Sequence, residues 1–195
     1  MFTLFLSSHA ALDPPGANRA LRYQPDRVRD PYLDDGAPPA HVLQLYFSSL
    51  DALEAAAAEV RAQADAEAMQ VHAFAVPEPW PRVPPRYCTY LVAYEGPAEN
   101  EPQWLAHYLA HHPPLMRKLP QIRELEIYTP VDWRCPARLK RVRHLQRNKV
   151  AFDDAAALAA ALDSPVRREM RADFAGFPLY RGRVTHYAMT TKLLT

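Results

Sequence analysis

Apolar positions recur with two different periods along the second half of the chain, and each period predicts a different kind of element. Runs of β-branched, aromatic and aliphatic residues predict strands at Tyr87 to Tyr94, Ile122 to Tyr128, Asn148 to Phe152 and Val184 to Leu193. A period near that of the α-helix predicts helices at Asn100 to His112 and Ala155 to Phe174. The second helix is expected to break at Ser164-Pro165, because serine suits a cap and proline a first helical position.

The first of these helices carries the most chemistry. Asn100 can accept amide hydrogens of the first turn, Glu101 suits its positive end, and Pro102 is tolerated there. Successive helical residues rotate by about 100°, so Trp104, Tyr108, His112, Leu105 and Leu109 share an arc of roughly 140°. His112 lies near the middle of that arc, whereas His107 and His111 lie at or beyond its edge, so only His112 is expected to face inward. Pro113 disfavours a helical conformation at His112 and predicts that the helix ends there. At such an end the dipole favours an imidazolium, while burial opposes it.

Short signatures recur in the same order in both halves. Phe2-Thr-Leu-Phe matches Cys88-Thr-Tyr-Leu, and Tyr46-Phe-Ser-Ser-Leu-Asp-Ala-Leu53 matches Ala151-Phe-Asp-Asp-Ala-Ala-Ala-Leu158. Val71-His-Ala-Phe matches Thr185-His-Tyr-Ala, which pairs His72 with His186 on the closing strands. The first half is shorter between its first two matches by about the length of one helix. Asp13 to Pro39, rich in Pro, Arg and Asp with no sustained apolar period, reads as an irregular excursion in place of that helix.

Each half therefore reads as strand, helix or its remnant, strand, strand, helix, strand, the ferredoxin-like arrangement of an α+β fold. Residues 1–76 form a degenerate copy and 86–195 a complete one. Between them, the proline-rich stretch 77–85 is a linker with neither helix nor central strand. A sheet covered by helices on one face leaves its other face apolar, so two fused copies have reason to close against each other. Trp104, His112 and the neighbouring strand residues would then line a hollow between helix and sheet or at the mouth of the closed barrel.

Composition narrows the classes of function. The chain has 195 residues, is 49% hydrophobic and carries a net charge of +1, which gives no electrostatic case for a nucleic-acid partner. No apolar run approaches a membrane span and residues 2–6 lack a basic leader, so a cytoplasmic protein without a membrane partner is expected. Cys88 and Cys135 show no metal spacing and read as unpaired thiols. His107 and His111 have the i, i+4 spacing of a metal pair but lack an obvious third ligand, so no metal is assigned. The basic run Arg138 to Lys149 reads as a solvated connection that can tint a pocket mouth positive. Asp132-Trp133-Arg134 follows a strand and joins an acid, a ring and a cation, which makes Trp133 a ligand-binding candidate beside plain turn chemistry.

The second half resembles the EthD-like proteins, named for ethyl tert-butyl ether degradation, within the wider dimeric α/β-barrel group. The residues that carry the resemblance are His112-Pro-Pro-Leu115, Lys118-Leu-Pro-Gln-Ile-Arg123, Phe152-Asp-Asp, Leu162-Asp-Ser-Pro165 and Asp173-Phe174, within Tyr87 to Leu194. Gln121 stands where that pattern has glycine. The resemblance implies two ferredoxin-like repeats fused into one dimeric α/β-barrel, with His112 at the position of the motif histidine. It also implies breakdown of small ethers or aromatics, often oxidoreductase-related.

Two functional classes follow from this. One is a cofactor-free enzyme of oxidoreductase or isomerase type acting on a small apolar or aromatic compound. In it His112 is general acid or base, Tyr108 or Tyr94 orients an oxygen, Trp104 packs on the substrate ring, and His186 and His72 complete the ligand site. The other is a non-catalytic binding or accessory protein of such a pathway. No cofactor is expected, haem is a minor alternative, and a homodimer stays open because fusion already meets the need for a second copy.

Overall fold

Hydrophobic alternation and helix caps set the elements of the computed structural model, which describes residues 1–194. Among those residues the first half supplies strands β1 (Phe2–Ser8), β2 (Arg19–Pro25) and β3 (His41–Phe47), helix α1 (Leu50–Glu59) and strand β4 (Asp65–Phe74). The second half supplies β5 (Arg86–Tyr94), α2 (Glu101–Met116), β6 (Glu124–Pro130), the short β7 (Lys140–Arg141), β8 (Gln146–Phe152), α3 (Ala155–Asp163), α4 (Pro165–Ala175) and β9 (Val184–Leu193). Side-chain oxygens of Ser49, Asn100 and Asp154 each accept an amide hydrogen of the following first turn, at 3.2, 3.0 and 2.9 Å, and so start α1, α2 and α3.

Four strands from each half stand in the same order, β4-β1-β3-β2 and β9-β5-β8-β6. The edges join as β2 to β9 and β6 to β4, all antiparallel, so eight strands close into one barrel with the helices outside. This is the expected α+β fold of two ferredoxin-like units closed as a dimeric α/β-barrel. Alternate residues fill the lumen, among them Phe5, Leu21, Tyr23, Tyr46, Leu91, Tyr128 and Met189. The opposite faces of the strands pack beneath the helices in two separate cores.

Three expectations need correction. The excursion Asp13 to Pro39 contains β2, so the helix alone is missing, between β1 and β2. Its alternation was masked by Arg19 and Arg22, which are held by Glu124 and by the Leu12 carbonyl. Helix α2 continues through Pro113 and Pro114 to Met116, because burial of Met116 and Leu119 outweighs the local preference before proline. His112 therefore sits a full turn from the helix end. Finally, His72 and His186 are not equivalent. Phe2 pairs with Phe47 and Cys88 with Phe152, which agrees with the first two matches. His186 pairs with Val92, and Ala66 holds the corresponding place opposite Leu6.

The halves exchange coverings. The connection between β6 and β8 places Trp133 and Leu139 in the first half's core, where the helix is absent. In return the segment between β2 and β3, residues 26–40, crosses to the second half. There Asp30 accepts hydrogen bonds from Tyr90 and Arg167, and Asp35 bonds to His186.

Candidate functional site

Helix α2 directs Trp104, Tyr108, His112 and Met116 inward at four-residue intervals, and all four are buried. Helix α4 packs against α2 and brings Asp173 to it, with Oδ2 2.7 Å from Nδ1 of His112. A carboxylate can only accept, so Nδ1 carries the hydrogen and Nε2 keeps its lone pair. The residue is only 4% exposed, yet Nε2 makes no hydrogen bond to protein and is not sealed from water. Burial lowers the His112 pKa below its ordinary value, the hydrogen bond and charge of Asp173 oppose that, and the Arg167 charge adds to the lowering.

The ring lies on the wall of a cavity of about 300 Å³ between the helices and the outer face of the sheet. Tyr90, Tyr94, Phe152 and Phe174 set four aromatic rings among mostly aliphatic walls, and Leu33 and Asp35 of the crossing segment close one side. A second imidazole shares the cavity. Nδ1 of His186 lies 2.9 Å from Asp35 Oδ2, which also accepts the His186 amide at 2.8 Å. Burial lowers the His186 pKa, the hydrogen bond to Asp35 opposes it, and its ring stacks on Tyr90 at 5.7 Å.

The other expected residues fall in three places. Tyr94 lines the cavity. Tyr108 and Trp104 sit behind that wall in an aromatic cluster, with Tyr94 5.2 Å from Trp104 and 5.5 Å from Tyr108 between ring centroids. The Tyr108 hydroxyl accepts from Asn148 Nδ2 at 2.5 Å, and burial pushes its pKa up to about 12. These two rings support His112 and do not border the hollow. His72 and Trp133 are not brought to it. His72, on the first half's closing strand β4, bonds Thr129 of β6, and Trp133 fills the first half's core.

Sequence reasoning missed Asp173 as a partner of His112, together with Asp35, Tyr90 and Arg167. Asp173 belonged to the family pattern but gave no sign of its mate. Asp35 lay in a segment without periodicity. The basic run also differs from its reading as a solvated connection. Lys149 is fully buried in the lumen, 2.7 Å from Glu126 and 3.2 Å from Glu124, while Arg147 holds Glu67. A wider hollow of about 1070 Å³ opens at one barrel end beside Arg138, Lys140, Arg143 and Arg147. Its cations are mostly engaged by protein groups, and it lacks the His112 dyad. Among the described residues no group of three or more His, Cys, Asp or Glu could hold a metal ion, and no helix is long and apolar enough to cross a membrane.

No protein-family model matches the chain, and no curated protein matches it either. Solved structures do. An anthrone oxidase-like protein aligns over 98% of this chain and 92% of its own with a TM-score of 0.61 at 12% identity. A candidate monooxygenase from Lactobacillus acidophilus NCFM aligns over 100% of this chain and 95% of its own, with a TM-score of 0.56 at 9% identity. An EthD family protein from Bacillus halodurans C-125 is 22% identical over 51% of this chain and 96% of its own, with a TM-score of 0.40. At these identities the first two likenesses are to the barrel architecture, which this chain shares along its whole length.

Proposed function

We propose that the protein is a cofactor-free enzyme of isomerase or oxidoreductase type that removes a proton from a small, largely apolar aromatic or phenolic compound. The observation that carries this reading is the His112–Asp173 pair on the wall of a largely apolar cavity that holds four aromatic rings. Asp173 fixes the tautomer and takes up part of the charge that forms when Nε2 accepts a proton. Burial keeps the ring neutral, and therefore basic, at neutral pH. The proton moves to His112 Nε2 and the electron pair stays on the substrate. Return of the proton at another atom completes an isomerisation. Attack of the same carbanion on dioxygen, which takes up the electron pair and forms the new C–O bond, begins an oxygenation.

The His112-Pro-Pro-Leu115 and Lys118 to Arg123 patterns, similar to those of EthD-like proteins, support a place in catabolism of small ethers or aromatics. Fold kinship alone does not choose the reaction. The test is incubation of the whole chain in deuterated water with small phenols and unsaturated lactones, reading carbon-bound deuterium by NMR and dioxygen consumption by electrode. Wild type is expected to exchange or consume at least one compound, and His112→Ala to do neither. A protein that binds such a compound and never alters it would instead be a carrier or accessory protein.

A further inference from the structure

Two histidines on the cavity wall are set up alike from unrelated elements. His112 comes from α2 with Asp173 of α4, and His186 comes from β9 with Asp35 of the crossing segment. Each carboxylate accepts from Nδ1, so each ring is left with a bare Nε2. Neither Nε2 makes a hydrogen bond to protein, and neither is sealed from water. The two stand apart on the wall: His186 pairs with Val92, Val92 pairs on its other side with Asn148, and Asn148 reaches the Tyr108 hydroxyl beside His112.

Several of the donors that border the same space are already engaged, while Arg167 Nε is buried without a hydrogen-bond partner. Arg167 gives Nη2 to Asp30 at 2.9 Å, and the Tyr90 hydroxyl goes to the same carboxylate at 2.5 Å. The Tyr94 ring packs edge-on against the Tyr108 ring at 5.5 Å between centroids. Asn148 Nδ2 donates one hydrogen to the Tyr108 hydroxyl, and the Arg171 guanidinium stacks over the Tyr32 ring at 4.6 Å. Two separated acceptors, the bare Nε2 atoms of His112 and His186, therefore stand ready for a ligand on a largely apolar wall that carries four aromatic rings. A guest that offered only acceptors, such as a ketone or an ether, would meet lone pairs at both ends.

We propose that the cavity recognises an aromatic compound bearing two separated hydroxyl groups, each donating to one imidazole, at Nε2 of His112 and Nε2 of His186. This deepens the functional reading above and rests on its cavity, naming the substrate as a two-donor phenol. Because Asp35 arrives on the chain between β2 and β3, the first half completes the specificity of a site otherwise built by the second. His186 is a specificity residue here, and His112 keeps the proton-transfer role.

The experiment is calorimetric binding of 1,3-, 1,5- and 2,6-dihydroxynaphthalene to the full chain, beside their mono- and dimethyl ethers. The ethers keep the aromatic shape and remove the donors. At least one diol is expected to bind, with each methylation weakening it about tenfold. His186→Ala is expected to abolish the penalty for methylating one hydroxyl only, and Asp35→Asn to weaken the diol without affecting the dimethyl ether. Equal affinity of diols and dimethyl ethers in wild type overturns the inference, and needs no variant to fold. That result together with turnover of another compound would leave the enzymatic reading intact. Tight diol binding without exchange or oxygen uptake would defeat the enzymatic reading and keep this one.

Discussion

The Asp173 carboxylate joins two helices through one contact, 2.7 Å from Nδ1 of His112, and in doing so leaves Nε2 as the ring nitrogen with a free lone pair. Asp173→Asn tests that decision. An amide can donate as well as accept, so the ring is free to turn its hydrogen to Nε2. The catalytic rate is expected to fall by roughly 10²–10⁴-fold with little change in KM, measured by steady-state kinetics on whichever compound the exchange assay identifies. Circular dichroism should show an unchanged fold.

Activity should depend on pH through His112. Its folded pKa is lowered by burial, against the opposing pull of Asp173 and with added lowering from Arg167. The basic form therefore persists below the ordinary imidazole value, and kcat/KM should stay on its plateau as the pH falls to that value, then decline at lower pH. A decline centred above the ordinary value would contradict a neutral buried base.

Lys149 has both Glu124 and Glu126 within ion-pair distance in the lumen. Lys149→Met leaves Glu126 facing the Tyr46 and Tyr128 hydroxyls with no such lysine beside it. Loss of one partner of a buried pair is expected to destabilise the protein by about 3–5 kcal/mol in denaturant unfolding. Acid sensitivity should change in step. Burial acts to raise the Glu124 pKa, but Lys149 and Arg19 hold it down at about 2, below its ordinary 4.5. The stabilisation is thus complete above 4.5 and lost as the pH falls toward 2. In the variant, acid unfolding should begin at a higher pH.

Trp133 belongs to the first half's core, 5% exposed, and not to the His112 cavity. Trp133→Ala should cost about 3–5 kcal/mol of stability. At temperatures where the variant remains folded, its affinity for a dihydroxynaphthalene should equal that of wild type. A selective loss of binding without loss of stability would return Trp133 to the site.

Gln121 adopts φ of 60°, a left-handed backbone that favours glycine, and it stands where the resembling family has glycine. Relief of that conformation outweighs the greater freedom glycine gives the unfolded chain, so Gln121→Gly should gain about 0.5–1 kcal/mol, read from thermal or denaturant unfolding.

Much of the second half was legible because its strands and helices keep regular apolar periods and its caps carry the usual side chains, as at Asn100, Asp154 and Ser164-Pro165. His112 was legible as an inward residue by angle alone. Its partner was not, since Asp173 lies on a different helix and meets it only through packing. Strand β2 escaped because arginines interrupt its short alternation. Lys149 looked solvated because sequence does not show that Glu124 and Glu126 wait on the neighbouring strand. The supposed match of His72 with His186 failed for want of register, which only the strand pairing fixes. Trp104 and Tyr108 were rightly turned inward, but burial in a cluster of rings is different from bordering a hollow.

Nitrogen-15 NMR of the histidine side chains tests the central claim most directly. At pH 7.5 His112 is expected to be neutral, with its hydrogen on Nδ1 and a bare Nε2 whose resonance shifts when a dihydroxynaphthalene is added. An imidazolium at that pH, or a hydrogen fixed on Nε2, would contradict it.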